Sequence, residues 1–236
     1  GYANNTNAGI ATATVTVTGM GNYSGAISKN FTIEKAKPAA LTWPTASAIT
    51  YGAALSASSL TGGSATGTWA WTAGTTVPPA GTAGYEVTFT PADTENYDWS
   101  SVTLRQNVSI TVHKAAGLLV STQPSMNARE GVTRSYEFDM DNIALDRADT
   151  GAKTYSAAED TDASNILSNV QVNGGKLTYA ISNTAAVGNT ATVAITISTA
   201  NYEDVTAILT ITVTEKDTQT IGFENATVTK TYGDAR

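Results

Sequence analysis

Val15 and Val17 alternate with Thr14, Thr16 and Thr18. The same period of two places Val87 and Phe89 among Glu86, Thr88 and Thr90, and Val193, Ile195 and Ile197 among Thr192, Ala194 and Thr196. Closing segments repeat it: Val102, Leu104, Val108, Ile110 and Val112, then Val205, Ala207, Leu209, Ile211 and Val213. Successive side chains of a strand point to opposite faces, so each segment buries one face and wets the other. A wet face predicts antiparallel sheets, not a parallel sheet covered by helices. Helical signal is thin. Only Ala157 to Leu167 can hold one short helix, with Asp162 or Ser164 as N-cap.

The alternating segments belong to a repeat. Three stretches run from Gly through a strand to Asn-Tyr, then through a second strand to Lys. The glycines are Gly9, Gly81 and Gly188; the pairs are Asn22-Tyr23, Asn96-Tyr97 and Asn201-Tyr202; the lysines are Lys35, Lys114 and Lys216. A second repeat marks starts: Leu41-Thr42-Trp43 before Ile49-Thr50-Tyr51-Gly52, and Ile221-Gly222-Phe223 before Lys230-Thr231-Tyr232-Gly233. The boundaries that follow are the C-terminal part of a module at 1–37, a complete module at 38–115, a complete module of another subtype at 116–216, and the start of a further module at 217–236. Linkers such as Lys35-Ala36-Lys37-Pro38 are short and carry proline, which predicts an elongated, stiff arrangement.

Composition narrows the partners. Only 14% of residues are charged, the net charge is −7 and there is no cysteine. Negative charge without a Lys/Arg cluster disfavours nucleic acid and anionic membrane surfaces. The missing cysteines exclude disulfides and thiolate metal sites. No run approaches a membrane span, and neither end carries a signal peptide or an anchor, so the chain reads as an excerpt of a longer parent.

The pieces GNYSGAISKNFTIEKA, AITYGAALS, TFTPADTENY and TKTYGDA resemble the MBG and Ig-like repeats of large bacterial surface proteins, such as Firmicutes and Bacteroidetes adhesins. The resemblance covers 1–115 and 217–236 and extends loosely to 116–216. It implies an all-β fold of tandem antiparallel Ig-like β-sandwich modules, with β-grasp-type modules as the alternative. It further implies an extracellular, cell-surface or cell-wall location, no catalytic residues and no cofactor. The function it implies is a non-catalytic stalk or adhesive scaffold. The competing function is a carbohydrate-binding accessory region of a secreted glycan-active enzyme. Partners would be glycans, mucin or other surface proteins.

Candidate chemistry is sparse. The single histidine, His113, falls on the polar side of a closing strand, without the company a hydrolytic triad needs. Gly19 to Gly25 departs from dinucleotide-loop spacing and is expected to form a hairpin turn with glycine at positive φ. Asp139, Asp141, Asp160 and Asp162 are calcium candidates, although Ile143 breaks EF-hand spacing. Trp69 and Trp71 share one face of a strand, as a sugar platform or as core, with at least one expected in the core; Trp99 is the likelier exposed aromatic. Tyr23, Tyr97 and Tyr202 are expected to pack their rings into a module edge and bond a backbone group, like the tyrosine corner of Ig sandwiches. The segment Thr220–Val228 is expected to add to the sheet edge of 1–37 in a neighbouring chain, giving head-to-tail rows.

Overall fold

The computed structural model describes residues 1–216 except residues 65 and 132. The start of a further module at 217–236 and the pairing expected of Thr220–Val228 lie outside the described residues. The chain divides into two compact units. Unit 1 holds Gly1–Gly117 together with Asp149–Ala152 and Thr199–Glu203. Unit 2 holds Leu118–Ala148, Lys153–Ser198 and the described residues from Asp204. The stretches 1–37 and 38–115, expected as separate modules, therefore fall in one unit.

Unit 1 begins with β1 (Tyr2–Ala3), β2 (Gly9–Thr18) and β3 (Ala26–Ile33), an antiparallel three-stranded sheet in the order β1-β2-β3. Gly21 and Gly25 take φ of 69° and 107° in the β2–β3 turn, the left-handed region that glycine enters without steric cost. Next come β4 (Thr45–Ala46), β5 (Ile49–Thr50), β6 (Leu60–Thr61), β7 (Gly67–Trp71), β8 (Gly81–Pro91) and β9 (Arg105–His113). They form a four-stranded sheet, β5-β9-β8-β7, and a two-stranded one, β4-β6. The inward residues Trp71, Val87, Val108, Ile110 and Val112 meet Ile49 and Leu55 in one core.

Unit 2 contains β10 (Ser125–Arg129), β11 (Arg134–Asp139), β12 (Lys153–Thr161), β13 (Leu167–Asn173), β14 (Lys176–Ile181), β15 (Thr190–Thr199) and β16 (Val205–Thr214). The sheets are β10-β16-β15-β12 and β11-β14-β13. Leu177, Tyr179 and Ile181 from one sheet and Val193, Ile195, Leu209 and Ile211 from the other share a single core, so the two sheets pack face to face. The alternation on β15 and β16 has the period that the sequence predicts, with buried and half-buried residues interleaved from Ala191 and from Ala207 onward.

Two expectations are corrected. The sheets are mixed, not purely antiparallel: β5 runs parallel to β9, and β10 parallel to β16. In each case the opening strand lies along the closing strand in the same direction, which no tight hairpin could connect. The stretch Ala157 to Leu167 forms no helix. β12 continues through Thr161 on the edge of β15, and the Thr161 and Thr192 hydroxyls share a hydrogen bond. Ladder pairing overrides weak local helical propensity there. Asp162 then closes a turn, its carboxylate accepting the N–H groups of Ile166 and Leu167.

Leu209 is fully buried between the sheets, whereas Thr206 on the same strand is exposed. Leu209→Ala is expected to cost about 2–5 kcal/mol, the usual range for a truncated core leucine. Thr206→Ala should stay within about 0.5 kcal/mol. Far-UV circular dichroism during urea unfolding measures both.

Candidate functional site

An aromatic chain crosses unit 1. Trp43 meets Trp69 edge-on at 4.9 Å, Trp69 meets Phe89 at 4.5 Å, Phe89 meets Trp99 at 5.5 Å, and Trp99 meets Tyr97 at 6.4 Å. All lie within the range of favourable ring pairs. Glycines make room for the rings. A Cβ on Gly63 would lie 2.5 Å from Trp69 Nε1, and one on Gly67 would lie 2.5 Å from the Phe89 ring.

The tryptophans do not form a flat platform. Trp69 and Trp71 share a face because they are two residues apart on β7, and that face is the core. Trp71 is buried and its Nε1 donates to the Ser58 carbonyl at 3.2 Å. Trp69 is half-buried between Trp43 and Phe89. Trp99 is also half-buried, not exposed: its Nε1 donates to the Asp93 carbonyl at 2.8 Å, leaving ring surface toward a groove of about 260 Å³. Pro38, Ala40, Ser64, Asp93 and Tyr97 line that groove with it. Asp93 is spent within its own turn. Its carboxylate accepts the backbone N–H groups of Asn96 and Glu95 and the Asn96 side-chain amide. The Asn96 bonds, backbone before side chain, hold its pKa below the ordinary carboxylate value.

The Asn-Tyr pairs have a different role from the one expected. Asn96 Oδ1 accepts the N–H of Ala8 at 2.8 Å, its carbonyl accepts the N–H of Ala36 at 2.8 Å, and the Asp98 N–H donates to the Ala36 carbonyl at 2.9 Å. Asn201 repeats all three bonds. Its Oδ1 accepts the N–H of Ala80 at 3.2 Å, its carbonyl accepts the N–H of Ala115 at 3.0 Å, and the Glu203 N–H donates to the Ala115 carbonyl at 2.9 Å. Each asparagine thus joins the start of a glycine strand to the end of the strand closing beside it. The sequence signal was the flank: Ala8-Gly9 with Lys35-Ala36, and Ala80-Gly81 with Lys114-Ala115.

The tyrosines differ among themselves. Tyr202 is 6% exposed, Tyr97 41% and Tyr23 81%, so only Tyr202 is packed as expected. Its hydroxyl bonds a carboxylate, not the backbone: Asp149 Oδ1 at 3.0 Å. The same carboxylate accepts the Tyr51 hydroxyl at 3.0 Å, and the two rings meet edge-on at 5.4 Å. Asn201 Nδ2 donates to the Asp149 carbonyl at 2.9 Å. All of these residues belong to unit 1. Tyr97 has Trp99 beside it but not this arrangement, and Tyr23 sits beside the exposed β2–β3 turn. Asp149 belongs to no repeat, so period-based reasoning had no means of finding it.

The calcium candidates are engaged locally. Asp139 accepts the Asp141 N–H, Asp141 accepts the Tyr155 hydroxyl, Asp160 accepts the Thr192 hydroxyl, and Asp162 closes its turn. Among the described residues no three or more His, Asp or Glu side chains gather where a metal ion could be held. His113 is exposed at the end of β9. No helix among the described residues is long and apolar enough to cross a membrane.

No family model and no curated protein matches the chain. Solved structures similar to it include an endo-fucoidan hydrolase of glycoside hydrolase family 107, at TM-score 0.28 and 12% identity over 84% of this chain and 33% of that one. A tandem pair of titin Ig domains has TM-score 0.28 and 11% identity, covering 75% of this chain and 98% of that one. Drosophila N-cadherin has TM-score 0.31 and 11% identity, covering 81% and 74%. The chain spans about a third of the length of the fucoidan hydrolase.

All four tryptophans lie in unit 1, so their emission follows its unfolding. Asn96→Ala and Asn201→Ala each remove two side-chain hydrogen bonds and should each cost about 1–3 kcal/mol, and Asn22→Ala, which is exposed, close to nothing. Tyr202→Phe should cost about 1.5–3 kcal/mol, because it removes a bond to a charged acceptor. Loss of solvent, then the bond and charge of Asp149, raise the Tyr51 pKa. A raised phenol stabilises fully below its ordinary value of about 10, and that contribution is lost as pH rises through the folded value. Tyr51→Phe should therefore make the alkaline fall in stability shallower, measured by denaturation at stepped pH.

Proposed function

We propose that the chain is a non-catalytic structural and adhesive repeat region of a bacterial cell-surface protein, built from Ig-like, MBG-type β-sandwich modules that act as a stalk or binding scaffold. The observation that carries this reading is the repeated asparagine clasp. The same three hydrogen bonds are made at Asn96 and at Asn201, on matching Ala-Gly and Lys-Ala flanks. A bond set reproduced at the repeat period belongs to the architecture and not to a unique active site. Supporting it, Asp93, Asp98 and Tyr51 of unit 1 are engaged in turns and strand ends. An extracellular setting suits the threonine-rich, weakly charged, cysteine-free composition.

A second reading, carbohydrate binding beside a glycan-active enzyme, draws on one observation: the groove in which Trp99 and Tyr97 stand beside Ser64 and Asp93. Aromatic surface next to polar groups suits a sugar ring. The buried indole of Trp71 favours the scaffold reading over this one, because a stacking platform needs its rings in solvent.

A glycan and mucin array probed with the chain and with Trp99→Ala separates the two. The scaffold reading expects no glycan signal that depends on Trp99. Retention of a defined glycan, lost in Trp99→Ala while the fold is kept, would transfer the assignment to the second reading.

A further inference from the structure

Each unit has an early strand lying parallel to its last: β5 on β9 in unit 1, and β10 on β16 in unit 2. Tension along the chain pulls the early strand backward and the last strand forward. The two strands then slide against each other, and the bonds between them are loaded together. The two units differ in how many such bonds they have. β5 meets β9 at Ile49 opposite Val112 and Thr50 opposite His113, and the Tyr51 N–H adds a bond to the His113 carbonyl at 2.8 Å. β10 meets β16 over five residue pairs, from Ser125 opposite Thr210 to Arg129 opposite Thr214. That ladder continues past both ends. The Thr210 N–H donates to the Pro124 carbonyl and the Glu130 N–H to the Thr214 carbonyl, both at 3.0 Å. Side chains tie it further: Gln123 Oε1 accepts the Ile208 N–H at 2.7 Å, and the Arg129 guanidinium donates to the Thr214 hydroxyl at 3.1 Å and to the Glu215 carbonyl at 2.9 Å.

We propose that tension opens the two units in a fixed order: the short β5–β9 clamp of unit 1 yields first, and the long β10–β16 clamp of unit 2 holds. Bonds sheared together resist as a sum, so five pairs with side-chain ties should need about twice the force of two pairs. Forced opening follows the barrier to rupture, so the order is set by these clamps and not by the size of either core. The pairings ahead of the clamps are short in both units, β4 on β6 over two residues and Val120 on Leu145 as a single bridge. The asparagine clasps at Ala36 and Ala115 match bond for bond, so they resist alike and leave the order unchanged. Unit 1 is then an extensible element that lengthens the chain and limits the tension reaching unit 2. The proposal takes its setting from the stalk reading. The order of rupture is measured whether or not the chain holds a glycan, so the two can fail separately.

Single-molecule force spectroscopy on the full chain tests this. There is no cysteine, so Lys37→Cys and Lys216→Cys, both at exposed positions, give two unique attachment points with both clamps between them. At about 3.6 Å per residue, opening 38–115 frees about 28 nm of chain and opening 116–216 about 36 nm, so each event is identified by its length. The shorter event should come first, at about half the force of the longer. Arg129→Ala should lower the force of the longer event and leave the shorter one where it is. A third arm replaces the first attachment with Val187→Cys, which is also exposed. Val187 and Lys216 flank β15 and β16 at the same end of their antiparallel ladder, so pulling there unzips it pair by pair. The force that opens unit 2 should then fall by about half or more, although its equilibrium stability is the same. Events at equal force, or the longer event first, overturn the proposal. So does a unit 2 force that is unchanged in Arg129→Ala or when pulled from Val187.

Discussion

A strand that starts or ends where water is partly excluded leaves backbone groups without ladder partners, and each must find an acceptor or donor or lose stability. The N–H groups of Ala8 and Ala80 stand just before glycine strands, and those of Ala36 and Ala115 just after closing ones. Asn96 accepts from Ala8 and Ala36, and Asn201 from Ala80 and Ala115, each through its side-chain oxygen and its carbonyl. Asparagine suits this because it carries its own acceptor on a short stem and tolerates turn conformations. The clasp works without apolar burial, so it can recur wherever the flanking alanine, glycine and lysine recur.

Tyrosine follows asparagine in each copy, but its environment is not set by the repeat. Tyr202 is buried because Asp149 and Tyr51 converge on it. The exposed carboxylate of Asp149 is shared by the two phenol hydroxyls and fixes both rings beside it. Tyr97 meets a tryptophan instead and remains largely wet. The identical dipeptide thus does two jobs, and the difference comes from Asp149, in a segment far away in sequence.

This pattern explains what was legible in the sequence and what was not. Period-two alternation is a local property, and it located β8, β15 and β16 with their buried faces; it located β2 as a strand, but Val17, expected on a buried face there, is 63% exposed. Pairing direction is not local: β5 and β10 carry no mark that each would lie parallel to a closing strand. At Ala157 to Leu167 local propensity pointed toward a helix, and partnership with β15 decided for a strand. For Trp69 and Trp71 the alternation placed both on one face without showing which side was solvent. That depended on Trp43 and Ser58, supplied by segments that alternation does not describe. The groove at Trp99 was half legible, since its aromatic pair stands in the repeat while Pro38 and Ser64 come from elsewhere.

The wet faces have a chemistry of their own. Thr82 and Thr111 share a hydroxyl bond across β8 and β9, Thr72 and Thr88 another, and Thr16 and Ser28 one across β2 and β3. Thr14 donates to Asn30 on the same sheet, and Thr161 and Thr192 pair in unit 2. Cross-strand hydroxyl pairs of this kind add a few tenths of a kcal/mol each and favour the pleat through the β-branched stem. They carry no charge, so salt does not screen them as it screens surface ion pairs. The ion pair of Arg105 with Glu86 is by contrast long, at 3.6 Å, and well exposed, a geometry worth little. Where these hydroxyl pairs occur, the exposed face is held by neutral groups whose strength salt does not screen; on β11 and β14 the closer pair of Lys176 with Glu137 at 2.5 Å adds a charged contact that salt does screen.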